Sequence, residues 1–434
     1  MLDIQFIRDN SELVAEKSKQ KGYDVDISQL LELDGQRRTR LTQIEELRAR
    51  RNTLNDEAKG QRPTDEQIAA GKQLKEELVQ LETELKGLEA HYDELLKKVP
   101  NMPLEDVPVG VSEDENVVAR TVGEKTHFDF TPKSHWEIAE ARDLIDKERA
   151  TKVAGPRFAY IKGDLVRLQF AIIQFVLATV GDEHIIQHLI EENHLNLTAK
   201  PFMPVLPPAM IKTDVFAAMD RLEPRDDRYK VGEPEDDLWL QGSAEHTLGS
   251  MYKDEILDAA QLPVRYIGYS SSFRREAGTY GKDTEGIIRM HQFDKLEMEV
   301  FSTPETGLDE HKLLCAIQEY LVQQLGLPYQ VIQKCTADIG KPNARGIDLE
   351  VWMPGQDKYR ETHTADYMTD YQTRRLKTRG RKADGQIVLL HTNDATAFAL
   401  GRIMVAVIEN FQTADGHVKV PEVLQPYMGG SQEF

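Results

Sequence analysis

The sequence predicts an α+β chain: an antiparallel β-sheet core flanked by helices, with an N-terminal antiparallel α-helical coiled-coil arm. Three observations carry this. Leu74, Leu78, Leu81, Leu85, Leu88, Tyr92, Leu95 and Val99 recur at steps of 4, 3, 4, 3, 4, 3, 4, a heptad seam. From 287 to 300 polar and apolar residues alternate, the period of a strand with two unlike faces. Neither GxxxxGK[ST] nor GxGxxG occurs, so nucleotide binding at a helix N-terminus in a parallel α/β sheet is unsupported. Long strand-like runs separated by variable loops favour antiparallel pairing instead.

The totals bound the rest. A chain of 434 residues can hold two or three domains with a full core. The 40% apolar and 29% charged content suits a soluble globular protein. No run approaches the ~20 apolar residues of a membrane span, and MLDIQFIRDNSELV lacks a basic-then-apolar export pattern. A cytoplasmic protein with no membrane partner is expected. Cys315 and Cys335 are too few and too far apart for a metal site or a disulfide framework, and read as buried thiols. The net charge of −20 argues against a nucleic-acid partner on the total. One local patch runs the other way: Arg37, Arg38, Arg40, Arg48, Arg50 and Arg51 face only Glu45 and Glu46.

Taken in order, Leu30, Leu33, Leu41, Ile44, Leu47 and Leu54 follow the helical period, and the heptad seam continues it after a break at Gly60 and Pro63. Thr64 with Gln67 three residues on is a capping box that starts the second helix. Each helix of this arm should be about 45 to 50 Å long. Such an arm has no interior for a small ligand, so it binds something large or dimerises. Its arginines, with Lys59, Arg62, Lys72 and Lys75 toward the tip, suit RNA held by shape and backbone; a solvated face of i,i+4 pairs is the alternative. Pro100, Pro103 and Pro108 mark a boundary, giving domains 1–105 and 106–434. Beyond it, 136–150, 164–180, 308–325 and 399–411 read as helices, and 238–242, 329–336, 347–354, 358–364 and 387–391 as strands. The run 201–208 is a proline-punctuated approach to a strand. His184 and His188 lie four apart, without a glutamate in metal-site spacing.

The stretch 266–301, YIGYSSSFRREAGTYGKDTEGIIRMHQFDKLEMEVF, is two strands joined by the loop 277–286. On the second strand Arg289, His291, Phe293, Lys295, Glu297 and Glu299 share one face. Arg274 and Glu276 flank the loop. Arginines, glutamates and an aromatic facing one pocket suit an anionic, planar, aminated ligand such as a nucleotide with an amino acid. A sheet face of cross-strand salt bridges accounts for the same composition.

FRREAG followed by IIRMHQFDKLE, SAEHTL upstream, FMPVLPPAMIKT before it and LGRIMVAVIENFQ with VPEVLQPYMGG at the end resemble the seryl-tRNA synthetase family of class II aminoacyl-tRNA synthetases. The resemblance covers essentially the whole chain. It implies the class II catalytic sheet, ATP, L-serine and a serine tRNA with a long variable arm as substrates, Mg2+ accompanying ATP, and a homodimer. It implies catalytic roles for Arg274 and Arg402, on the α-phosphate with the amino-acid carboxylate and on the γ-phosphate respectively. Arg275, Glu276, Arg289 and the segment Glu361, Thr362, His363, Thr364 would contact ATP, with Phe293 under adenine and magnesium at Glu361. Ser243, Ala244, Glu245, Glu297, Asp394 and Thr396 would form the serine pocket with Arg274, and Arg37, Arg38, Arg40, Arg48 and Arg51 the tRNA-binding arm. The chain departs from the family pattern at Ser243 for Thr, Asp394 for Asn, Ala395-Thr396-Ala397 for a glycine-rich run, and Ala365 for Cys. These departures leave room for a paralogue acting on a non-tRNA acceptor or on a different small amino acid. A catalytically silent RNA-binding protein is the reading from outside enzymology.

Overall fold

The computed structural model describes residues 1–57, 59–60, 64–233, 235–277 and 286–434. Pro63, Arg62 and most of the loop 277–286 lie outside the described residues. The chain divides into two compact units, Met1–Met102 and Pro103–Phe434.

In the first unit, helices Ile27–Glu57 and Asp65–Lys98 pack along their length, 31 and 34 residues or about 46 and 51 Å. Ile44, Leu47 and Leu78 are buried between them, with Leu74, Leu81 and Leu85 alongside. The capping box forms as expected: Thr64 Oγ1 accepts from the Gln67 amide, and the Gln67 side chain accepts from the Thr64 amide. Two positions differ from the seam. Leu96 is buried while Leu95 is only half-buried, the one-residue drift expected when a helix of 3.6 residues per turn carries a seven-residue repeat. Leu30 is buried near the first helix's start as expected, but Asp34, not Leu33, is the next buried residue, paired with Arg8 at 2.7 Å and Arg38 at 3.2 Å.

The second unit is built on an eight-stranded sheet. Its spatial order is Val117–Val122, Tyr329–Gln333, Arg345–Met353, Lys358–Thr369, His391–Ala399, Gln292–Ser302, Val264–Phe273, Met203–Val205. Neighbours are antiparallel except the last pair, where Met203–Val205 runs parallel to Val264–Phe273. Helices Asp164–Val180, Gly307–Gln324 and Leu400–Asn410 contribute to the main core, into which Leu296, Met298 and Val300 point from the central strand. Alternation then sends Lys295, Glu297 and Glu299 to the other face. There the short helix Glu245–Leu248 seats on the sheet. It comes close because residue 268 is glycine: a Cβ there would lie 2.6 Å from Leu248 Cδ1 and 3.3 Å from Ala244 Cβ.

Several elements correct the sequence expectation. The helix expected over 136–150 is two helices, His135–Ala141 and Lys147–Ala154, parted by Asp143 at φ 53° and the strand Ile145–Asp146. Capping explains the restart, since the Asp146 side chain accepts from the Arg149 amide at 2.9 Å. The strand expected from 287 begins at Gln292, so Arg289 precedes it. The strand His391–Ala399 overlaps the sequence expectation only at its ends, His391 in the strand expected over 387–391 and Ala399 in the helix expected over 399–411, because its run of Thr, Asn, Asp and Ala lacks the apolar alternation of a half-buried strand.

The sheet edge is tied down by Arg265, which is 2% exposed. Its guanidinium meets both Glu310 oxygens at 2.9 and 2.8 Å, and donates to the carbonyls of Thr198 and Lys200 at 2.9 and 2.7 Å. Replacing it leaves a buried carboxylate and two orphaned carbonyls. Arg265→Met should therefore lose about 3–5 kcal/mol, read as a lowered midpoint in denaturant unfolding.

Candidate active site

The hairpin Val264–Phe273 and Gln292–Ser302 places the expected nucleotide residues. Beyond its end the Arg274 amide donates to the His291 carbonyl at 3.0 Å. The Arg274 side chain then turns inward, donating through Nε to the Gly242 carbonyl at 3.1 Å and lying 5.5 Å from the Phe293 ring centre. Glu276 takes a left-handed φ of 54°, and its carboxylate meets Arg289 at 3.2 Å. Opposite them, Arg402 opens the helix Leu400–Asn410 and donates to both the side chain and the carbonyl of Glu361 at 2.9 Å. The Glu361 side chain is 48% exposed, and against partial desolvation, which raises its carboxyl, Arg402 and Lys334 bring it down to about 2.

These groups line two adjoining cavities. One of about 110 Å³ is bounded by Arg274, Glu276, Arg289, Phe293, Lys295, Glu361, Thr362, Thr364, Thr396 and Arg402. The other, of about 400 Å³, shares Arg289, Glu361 and Arg402 and adds Lys334, Asp348 and Glu350. A register shift opposite Leu349 and Glu350 leaves Thr362 unpaired in the ladder. That bulge resets the alternation, so Glu361 and Thr364 both reach the cavity although three residues apart. Two expected ATP contacts are placed elsewhere. His363 is buried against Phe398, 5.2 Å between ring centres, and burial drives its imidazole down to about 3. The Arg275 guanidinium lies over Tyr229 at 5.2 Å.

At the inner end, Ser243 Oγ donates to Glu297 at 3.0 Å and accepts from Lys295 at 3.2 Å, while Lys295 also pairs with Glu297. Glu245 is held by Arg221 at 2.6 Å. Ladder register sets Thr396 opposite Glu297, Asp394 opposite Glu299, and Asp366 on the other side of Asp394. Burial would lift the Glu245 carboxyl, but Arg221, His246 and Lys295 carry it down to about 2. Asp394 moves the opposite way, well above the carboxylate range, through burial and the charges of Glu245 and Asp366. Glu299 does the same through burial, Asp394 and Glu245, and neither of its oxygens has a hydrogen-bond partner among the described residues. Sequence reading gave no role to Lys295, Arg221, Asp366 or Glu299. Lys295 and Glu299 stood on the recognised polar face; Arg221 and Asp366 carried no local signal.

The donors around the larger cavity are hard oxygens. Asp348 Oδ1 is buried without a hydrogen-bond partner, and burial with the charge of Glu361 nearby lifts its carboxyl to about 7 against the pull of Lys334. Among the described residues no three metal-ligating side chains converge into a cage. A few carboxylates beside an open cavity match Mg2+ bound jointly with phosphate oxygens.

On the helical arm, Arg37, Arg40 and Arg48 pair across to Glu89, Glu84 and Glu82 at 3.4, 3.1 and 2.7 Å, and Arg38 pairs with Asp34. Arg51 is exposed.

Comparison with known proteins places both units. Residues 1–103 match the family described as seryl-tRNA synthetase N-terminal domain, and 229–411 match the tRNA synthetase class II core domain (G, H, P, S and T). The chain is 39% identical over 438 residues to the serine–tRNA ligase of Thermodesulfovibrio yellowstonii, covering 99% of each. It is 37% identical over 440 residues to that of Nitrosopumilus maritimus, covering 100% of each. Among solved structures, seryl-tRNA synthetase from Pyrococcus horikoshii complexed with ATP superposes with a TM-score of 0.88 at 37% identity, covering 100% of this chain and 99% of that one. The cytoplasmic enzyme from Naegleria fowleri in complex with AMP gives 0.85 at 28% identity, covering 100% and 98%.

The unpartnered Glu299 has a consequence for stability. A carboxyl raised in the folded state favours the protonated form, so its contribution is complete below the usual carboxylate range and is lost as pH rises through the folded-state value. Glu299→Gln should therefore stabilise the protein by about 1–3 kcal/mol more near pH 8 than near pH 5, read as the variant-minus-wild-type difference in thermal unfolding at the two pH values.

Proposed function

The chain belongs to the seryl-tRNA synthetase family, and from that premise we propose that it is a serine–tRNA ligase whose adenylation site is the cavity between Arg274 and Arg402. The observation that carries this is the arrangement of the cavity itself. Arg274, Arg289 and Arg402 surround a space with Phe293 on one wall, and its inner end opens toward the Ser243–Glu297–Lys295 group.

In the first half-reaction a serine carboxylate oxygen bonds to the α-phosphorus of ATP as the bond to the β-phosphate oxygen breaks, giving seryl-adenylate and pyrophosphate. No proton transfer is needed, so the obstacle is charge accumulating on the α-phosphoryl oxygens. Arg274 offsets that charge and steers the carboxylate; Arg289 and Arg402 hold the departing phosphates. Phe293 stacks on adenine beside Glu276, and Thr362 and Thr364 line the phosphate path. Glu361 and Asp348 would hold Mg2+, which neutralises phosphate charge when bound. Positioning two reactants in this way supplies roughly 7 to 11 kcal/mol of the barrier reduction in well-oriented systems. Glu297 and Glu245 receive the serine ammonium, with Ser243 and Thr396 near the side chain and Ala244 packing the turn.

In the second half-reaction a terminal ribose hydroxyl attacks the adenylate carbonyl and AMP leaves. The 1–105 segment would serve as a tRNA-binding domain for the long variable arm and 106–434 as the catalytic domain. The arginine pairs on the arm are exposed, and such pairs are worth about 0–1 kcal/mol, so a phosphate can replace each glutamate at little cost. Exposed Met203 and Leu206, at 62% and 80%, lie at the open sheet edge and support a homodimer built there. No single described helix is long and apolar enough to cross a membrane.

Purified protein with ATP and magnesium should catalyse serine-dependent exchange of pyrophosphate into ATP; its absence would sink the reading. Running the same assay with each of the other amino acids tests the paralogue reading that Ser243 and Asp394 raise. Arg274→Ala should lower exchange by about 10²-fold or more with the fold intact by circular dichroism. Deleting 36–96 should spare exchange and abolish charging of serine tRNA; equal loss of both would assign the arm a folding role.

A further inference from the structure

Arg221 lies in the turn after the helix Thr213–Ala218, away from both cavity linings. Its side chain is 18% exposed and reaches four groups from four segments. It donates through Nε to Glu245 at 2.6 Å and through Nη2 to the Asn343 side-chain oxygen at 3.2 Å. The same Nη2 stands 3.7 Å from Asp394 and 3.9 Å from Asp366. We propose that Arg221 is the positioning residue of the amino-acid pocket, setting where Glu245 stands by holding its carboxylate in place against Asn343 and the Asp366–Asp394 pair. The proposal rests on the adenylation reading of the adjoining cavity.

The three acids are not equally movable. Asp366 and Asp394 are register partners on neighbouring strands, held by the sheet ladder. Glu245 stands on a helix of four residues, and its carboxylate has Arg221 as its close partner, with Gln372 at 3.4 Å as a weaker one. Glu299, across the ladder from Asp394, adds a further buried carboxyl to the same side. Without the guanidinium, Glu245 loses its close hydrogen-bonded partner and, as the least anchored of the three, is displaced. A lysine ammonium would supply the charge but not the planar fork that meets Glu245 and Asn343 together. The nucleotide end has its own cations, Arg402 on Glu361 and Arg289 on Glu276, so it should be indifferent to the change.

The test is pyrophosphate exchange by the full-length protein, with serine and ATP titrated separately. Arg221→Gln should raise the KM for serine about tenfold or more while leaving the KM for ATP within about twofold. Arg221→Lys should fall between. A serine KM unchanged in Arg221→Gln, or equal rises for serine and ATP, would overturn the proposal. If Arg221→Gln does not fold, Arg221→Lys decides: a wild-type serine KM there overturns it. A wild-type protein without serine-dependent exchange removes the ligase reading and this proposal together; an active wild type with indifferent Arg221 variants removes the proposal alone.

Discussion

The strand Gln292–Ser302 is buried on both faces, and the two faces are of opposite chemistry. Leu296, Met298 and Val300 pack into the main core, while Lys295, Glu297 and Glu299 are equally withdrawn from water on the other side. Carboxylates in that position must be paired, protonated or left at a cost. The sequence supplies cations from widely separated segments: Lys295 from the strand itself, Arg221 from a distant turn. A central charged strand face therefore dictates where the Glu245 helix and the Arg221 turn sit, more than any local preference of those segments does.

That constraint separates what was legible in the sequence from what was not. The heptad seam, the Thr64 capping box and the helices around Asp164–Val180 and Leu400–Asn410 are written in local periodicity, and they formed within a residue or two of expectation. The polar face carrying Phe293, Lys295, Glu297 and Glu299 was visible as alternation. Its partner strand His391–Ala399 was not, because buried on both sides and rich in Thr, Asn and Asp it follows neither strand period nor apolar run. Arg221 was invisible for a different reason. A counter-ion is defined by what it meets in space, and nothing in its own neighbourhood of sequence announces the meeting. His363 shows the reverse error, since a residue inside a functional segment was assigned with its neighbours while the bulge at Thr362 turned its ring into the core.

The site is electrostatically divided along its length. Toward the expected phosphates, arginines predominate, Arg402 pairing with Glu361 and Arg289 with Glu276. Toward the amino-acid end, carboxyls predominate, and Asp394 and Glu299 are pushed toward the protonated form by burial and by one another. An amino acid bound as proposed, carboxylate toward Arg274 and ammonium toward Glu297 and Glu245, would span this division in the favourable sense. The residues that depart from the family pattern, Ser243 and Asp394, both lie in the acidic half.

The same reasoning reconciles a net charge of −20 with an RNA substrate. Little of the acidic excess lies on the arm: residues 27–98 carry 13 Lys and Arg against 15 Asp and Glu, and Glu82, Glu84 and Glu89 are opposed by arginines. Those pairs are half-exposed to exposed and weak, so they hold the guanidiniums in rows along the helix without committing them. A polyanion with regularly spaced phosphates can displace several carboxylates at once, and each displacement returns a glutamate to water rather than burying it. An arm close to charge balance can thus present a cationic track to RNA, while the acidic body discourages nucleic acid elsewhere on the surface.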